Sequence, residues 1–292
     1  MNINHILLIV TLLNLSGDLY NIMRLKSQIP RWILWANLTA LASCGGAWML
    51  APEDAGFLSF AILIIYMIAI KVLVRRRYPK ERIPSPATKL LIALNVISFV
   101  IQYRANATNS PLGFIELGAA FTPLLEEGEW WRIFTAQFLH WGLMHLLFNM
   151  MGLWILGPAL ESMIGAFRYV ALYLVSGAGG MLIAWIASSI GSDPHPAILL
   201  GASASVMGLV GSQAAIGLLA YRRSGSLAAK AQLSSMGQIV FLQALFDMMV
   251  PQVSSTAHIG GASVGFCMTY GTLSYMLKRK RAAIQETEVE PA

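Results

Sequence analysis

Charge is scarce in this sequence. Only 12% of its 292 residues are Asp, Glu, Lys or Arg, against 57% hydrophobic, and the mean hydropathy is +0.63. That leaves too little polar surface to cover a soluble globule of this size, which excludes a water-soluble enzyme or binding module. Cysteine is nearly absent as well. Cys44 and Cys267 lie far apart in separate apolar runs, without metal-ligand spacing, and read as packed free thiols. No HExxH pattern occurs and no Asp or Glu ligand accompanies His140, His145 and His258, so neither a metal centre nor a cofactor is expected. Internal repeats are lacking. The net charge is +6, but the basic residues gather in short clusters beside apolar segments, as membrane topology alone produces; nucleic acid is not an expected partner.

What is present in quantity is apolar sequence of membrane-crossing length. A crossing takes about 20 mostly apolar residues, with about 17 still workable. Nine segments qualify, near 5–23, 32–50, 57–74, 88–103, 143–160, 168–190, 201–221, 231–250 and 256–277. The first lacks a basic leader and a small-residue cleavage site, so it does not read as a removed signal peptide. Basic clusters follow the odd-numbered spans: Arg24, Lys26 and Arg31; Arg75 to Arg77; Arg168; Arg222 and Arg223; Lys278 to Arg281. Basic residues stay on the cytoplasmic side, so the N-terminus is expected outside and the C-terminus inside.

The run RRRYPKERIPSP at 75–86 is the best internal boundary. It divides residues 1–82, an N-terminal membrane module of about three spans plus a basic linker, from a six-span block at 83–281. The acidic end, 282–292, is expected to be a disordered tail. The fold class is therefore an all-α polytopic membrane protein, with six helices preceded by about three more.

Polar side chains are costly in hydrocarbon and tend to face a protein interior or a water-filled cavity. His145 and Asn149 lie four residues apart, on one face of the fifth span near its outer end. Ser203 begins the seventh span and His258 the ninth, both entering from outside. Four polar groups thus share one shallow outer layer. Gly261 and Gly265 line the ninth span beside His258, and Ala204, Gly208, Gly211 and Ala215 line the seventh beside Ser203. Small residues allow close backbone approach, so these faces can bring the hydroxyl and imidazole within hydrogen-bonding reach. An imidazole can take a serine proton, and His145, Asn149 and the Ser203 N–H can donate to an oxyanion. Asp247 is the acid nearest in sequence to His258, but it lies on another span; a Ser203–His258 dyad is expected rather than a triad. Ser205 points about 200° away from Ser203 on a helix and is expected to bond back to a carbonyl of its own helix.

These residues resemble the rhomboid intramembrane serine proteases. GASA at 201–204 is similar to the family's GxSG motif, HWGLMHLLFN at 140–149 to HxxxxHxxxN, AHIGGASVG at 257–265 to AHxxGxxxG, and EWWRIFTAQFLH at 129–140 to the Trp-Arg segment of the large first loop. The resemblance covers about residues 88–280. It implies a six-helix rhomboid-like core in which Ser203 is the nucleophile, His258 the base, and His145 with Asn149 the oxyanion donors. It also implies that Trp131 and Arg132 shape the outer loop and that Glu161 is structural. Ala204 stands where the motif has its second glycine, and Met207 where an aromatic is common. The activity implied is cleavage of single-span transmembrane substrates near the outer face, in the lipid bilayer of a bacterial plasma membrane, with the site opening outward. The alternative is an inactive rhomboid-like protein that grips client helices without cutting them.

Overall fold

The computed structural model describes residues 84–190, 196–247 and 254–289. The chain divides into two compact units, Met1–Arg82 and Ile83–Ala292. All described residues belong to the second. The three expected N-terminal spans and Cys44 lie outside the described residues.

The second unit is an all-α polytopic membrane assembly with six long helices among the described residues. They are α1 (Pro86–Arg104), α5 (Leu143–Ile164), α6 (Ala166–Ile190), α7 (Ser203–Ser224), α8 (Leu227–Asp247) and α9 (Ser255–Val289). Of these, α1, α5, α6 and α7 are long and apolar enough to cross a membrane by length and composition alone. The outward faces of α1, α5 and α6 carry Leu90, Ile97, Ile101, Leu147, Trp154 and Ile186, all exposed. An apolar exterior of this kind is stable only against lipid.

The stretch between α1 and α5 is no simple loop. It folds into α2 (Pro111–Glu116), α3 (Thr122–Glu126) and α4 (Arg132–Thr135), with two short 3-10 turns at Ala107–Asn109 and Ala136–Phe138. Arg132 ties this segment together. Its Nε donates to Glu129 at 2.6 Å, its Nη1 to the carbonyls of Ile115 and Ala119, and its guanidinium lies 4.6 Å from the centre of the Trp131 ring. A charged fork that satisfies several carbonyls at once is a strong pin for irregular backbone. Two residues of the segment, Ala120–Phe121 (β1), pair antiparallel with Ile198–Leu199 (β2), in the register Ala120 opposite Leu199.

At the other end of the core, Glu161 of α5 closes the start of α1. Its carboxylate accepts the N–H groups of Ala87 and Thr88 at 2.9 and 2.8 Å, and the Thr88 hydroxyl at 2.8 Å. The first helical N–H groups have no partner inside their own helix, and a carboxylate there satisfies them while meeting the positive end of the dipole.

Two sequence expectations are corrected here. The acidic end is helical through Val289 rather than a disordered tail; its Ala, Gln and Glu residues are good helix formers that prolong α9. Cys267 is exposed on the outside of α9 rather than packed. An apolar run fixes that a residue lies in a span, not which side of the helix it occupies.

Candidate active site

The small-residue faces of α7 and α9 meet backbone to backbone. A methyl group at Gly261 would strike the Ala204 carbonyl, one at Gly265 the Gly208 carbonyl, and one at Gly211 the Ala262 carbonyl. Ser212 Oγ donates to the Gly265 carbonyl at 3.0 Å and accepts from Thr269 Oγ1 at 2.8 Å, so the contact is also hydrogen-bonded. The Ala204 methyl is turned elsewhere, toward Gly180 of α6. Its extra carbon is accommodated where α6 has no side chain, and the α7–α9 contact stays close.

At the end of this seam, Ser203 opens α7 and His258 lies in the first turn of α9. Ser203 Oγ and His258 Nε2 are 2.6 Å apart. The expectation that no acid reaches His258 is corrected at the other ring nitrogen: Nδ1 lies 2.9 and 2.8 Å from the two carboxylate oxygens of Asp247. Gln243, one turn earlier on α8, donates from Nε2 to Asp247 Oδ1 at 2.8 Å. The last residue of α8 and the first turn of α9 flank one short connection, which puts them at one level although they belong to different spans. That adjacency was the signal available in the sequence.

His145 stands on the other side of the serine. The Trp141 N–H makes a long bond of 3.4 Å to His145 Nδ1, which leaves the ring proton on Nε2. The ring lies against Gly201. A Cβ at position 201 would come within 2.7 Å of the ring's Cε1 and 3.0 Å of Nε2, and Gly201 holds a φ of +122° that residues with side chains rarely adopt. Its N–H is committed to the Ala136 carbonyl at 2.9 Å. One turn further along α5, Asn149 is buried, and among the described residues its Nδ2 has no hydrogen-bond partner. The N–H of Ser203, at the first position of α7, has no carbonyl one turn back to bind. His145 lines the same cavity as Ser203, whereas Asn149 is not among the residues that line it. His140 is fully buried, edge-on to His145 at 5.2 Å between ring centres. Its main chain is clasped by Gln102, which accepts from its N–H at 3.0 Å and donates to its carbonyl at 3.2 Å.

Ser205 differs from expectation in its partner. It does not bond back along α7 but donates to Gln137 Oε1 at 3.0 Å, and Gln137 Nε2 donates to the carbonyls of Ile133 and Leu174. The fully buried hydroxyl thus ties α7 to the loop segment and, through Gln137, to α6. A partner 68 residues away leaves no local trace in sequence.

Ser203 and His258 open onto a cavity of about 610 Å³, lined also by Trp141, His145, Leu199 and Gly201. It is large enough for several residues of extended chain. A hydroxyl bonded to an imidazole, in a cavity that a second imidazole also lines, can perform acyl transfer. The rhomboid domain model matches residues 127–275, just over half of the chain. The chain belongs to the rhomboid family.

This rhomboid is similar to Rhomboid protease GluP of Bacillus subtilis (strain 168), 30% identical over 180 residues that make up 61% of this chain and 33% of that protein. It is similar to RHOMBOID-like protein 5 of Arabidopsis thaliana, 34% identical over 158 residues, 53% of this chain and 48% of the relative. Putative rhomboid protease YdcA of Bacillus subtilis (strain 168) is 30% identical over 143 residues, 49% of this chain and 67% of the relative. The chain spans about a third to a half of the length of the first two. Residues 145, 149, 203, 247 and 258 of this rhomboid all fall inside the stretch that the family model matches.

Proposed function

We propose that this rhomboid is an intramembrane serine endopeptidase that cleaves single-span transmembrane proteins near the outer face of a bacterial plasma membrane. Its C-terminus is cytoplasmic, its N-terminal module at 1–82 takes no part in the chemistry, and the reaction needs no cofactor. The observation that carries this reading is the 2.6 Å approach of Ser203 Oγ to His258 Nε2 on the floor of a cavity wide enough for extended chain. His258 takes the hydroxyl proton at Nε2 as Oγ bonds to the scissile carbonyl carbon. The carbonyl oxygen becomes an oxyanion that receives hydrogen bonds from His145 Nε2–H, Asn149 Nδ2–H and the Ser203 N–H. Collapse breaks the C–N bond, and the amine leaves with the proton from His258. Water then attacks the acyl-enzyme, giving its proton to His258, and the serine is restored as the carboxylic acid departs.

The named relatives support protease chemistry at the level of the family, and the His145 ring against Gly201, in the cavity that Ser203 lines, supports an oxyanion site. The test is cleavage of a fluorescent single-span substrate by purified full-length protein, together with labelling by a fluorophosphonate. Both should occur in the wild type and vanish in Ser203→Ala. A wild-type protein that binds the substrate but neither cleaves nor labels would make it an inactive helix-binding rhomboid.

A further inference from the structure

The side of His258 away from the serine carries a second arrangement. The Asp247 side chain is 1% exposed and that of His258 4%. A buried carboxylate is costly unless partnered, and one at a helix end in a membrane protein marks a functional position by default. Here its partners are His258 Nδ1, at 2.8 and 2.9 Å, and Gln243 Nε2, at 2.8 Å. The donor inventory then sets the proton positions. A carboxylate only accepts, so the proton between Asp247 and His258 sits on Nδ1. Nε2 is left as the acceptor facing the Ser203 hydroxyl, the tautomer that proton abstraction requires. Gln243 Nε2 also lies 3.2 Å from Nδ1. Two N–H donors converging on one carboxylate produce that proximity without any bond between them.

We propose that Asp247 is a positioning residue that holds His258 in this tautomer and orientation and offsets the imidazolium charge formed when Nε2 takes the serine proton. The inference rests on the protease reading. The reacting array is then Ser203, His258 and Asp247, steadied by Gln243, rather than a serine and histidine alone. The Nδ1 proton stays on the ring throughout; the carboxylate acts by charge and direction. A structural tie between α8 and α9 would involve the same atoms but would leave the rate of the folded enzyme unchanged.

The experiment compares purified full-length wild type, Asp247→Asn and Asp247→Glu in detergent, each confirmed monodisperse. It measures kcat and KM on a fluorescent single-span substrate, the rate of fluorophosphonate labelling at Ser203, and the melting temperature. Expected for Asp247→Asn is a fall of about 10² to 10⁴-fold in kcat, with KM within about threefold and labelling slowed in parallel. Asp247→Glu should recover part of the loss, because it returns a carboxylate. A kcat for Asp247→Asn within tenfold of wild type overturns the proposal, whatever happens to the melting temperature. If Asp247→Asn does not fold, Gln243→Leu and Asp247→Glu decide: a tenfold lower kcat at unchanged KM in either supports the role, and wild-type rates in both refute it. Failure of the wild type to cleave or label overturns the protease reading and this role with it, whereas normal wild-type cleavage with an indifferent Asp247 overturns this role alone.

Discussion

Replacing Asn149 by Ala should lower activity while leaving stability nearly unchanged. The residue is 5% exposed and its Nδ2 has no partner among the described residues, so the resting protein holds a buried donor idle. An unsatisfied buried donor costs about 1–3 kcal/mol. Truncation removes that penalty and loses packing of similar size, so folding stability should change by no more than about 1 kcal/mol, or about 2–4 °C in melting temperature. Turnover should behave otherwise. Loss of one oxyanion donor lowers kcat by about 10 to 1,000-fold, equivalent to about 1.4–4 kcal/mol at the transition state. The oxyanion forms only after substrate is bound, so KM should stay within a few-fold. Asn149→Leu, which keeps most of the volume, should lose turnover equally and match or exceed wild-type stability. The assay is initial rates on a single-span substrate beside thermal unfolding of the same preparation. A melting temperature lower by more than about 8 °C with unchanged kcat would show that the amide packs the helix and does not serve the reaction.

Ser205→Ala should keep cleavage and probe labelling while losing about 0.5–1.5 kcal/mol of stability, because it cuts the bond to Gln137 and leaves the nucleophile untouched; loss of labelling in a folded Ser205→Ala would move the nucleophile. Burial, with a smaller contribution from His145, holds the His140 imidazole far below its ordinary 6.5, at about 3. The unfolded chain takes up that proton near 6.5, so the stability His140 contributes is full above that pH and is lost as pH falls toward 3, at about 1.4 kcal/mol per unit. His140→Phe keeps the main-chain bonds to Gln102 and should flatten the pH dependence of thermal unfolding between pH 7 and 5; an unchanged slope would assign that dependence to other groups. On the substrate side, replacing Gly and Pro near the outer end of the cleaved helix by Leu should slow cleavage, since a stable helix hides the carbonyl that Ser203 must reach. Equal rates on a poly-Leu helix would rule out local unwinding as a requirement.

Helices α1, α5, α6 and α7 were legible because each writes itself locally, as about 20 mostly apolar residues between polar stretches. That His145, Ser203 and His258 line one cavity was legible for the same reason: position along a span gives depth. Depth alone was not applied to Asp247, which ends one span as His258 begins the next. Azimuth was harder. Cys267 and Ser205 sit in segments whose existence was plain, yet which neighbour each faces depends on helix rotation and on partners such as Gln137 that lie far off in sequence. The fold of the segment between α1 and α5 was hidden because its order comes from Arg132 and paired carbonyls rather than from periodicity.

The glycine seam between α7 and α9 also bears on how this gene can change. Gly211, Gly261 and Gly265 each face a backbone carbonyl with no room for a single carbon. Every one-base substitution that alters a glycine codon's meaning installs a side chain or a stop. At these three positions every single missense step drives a carbon into a backbone carbonyl, so a saturation library selected for cleavage should return glycine there almost alone. Ala204, whose methyl is turned toward Gly180, should instead accept glycine. The seam that brings hydroxyl and imidazole together is thus fixed at the level of the codon.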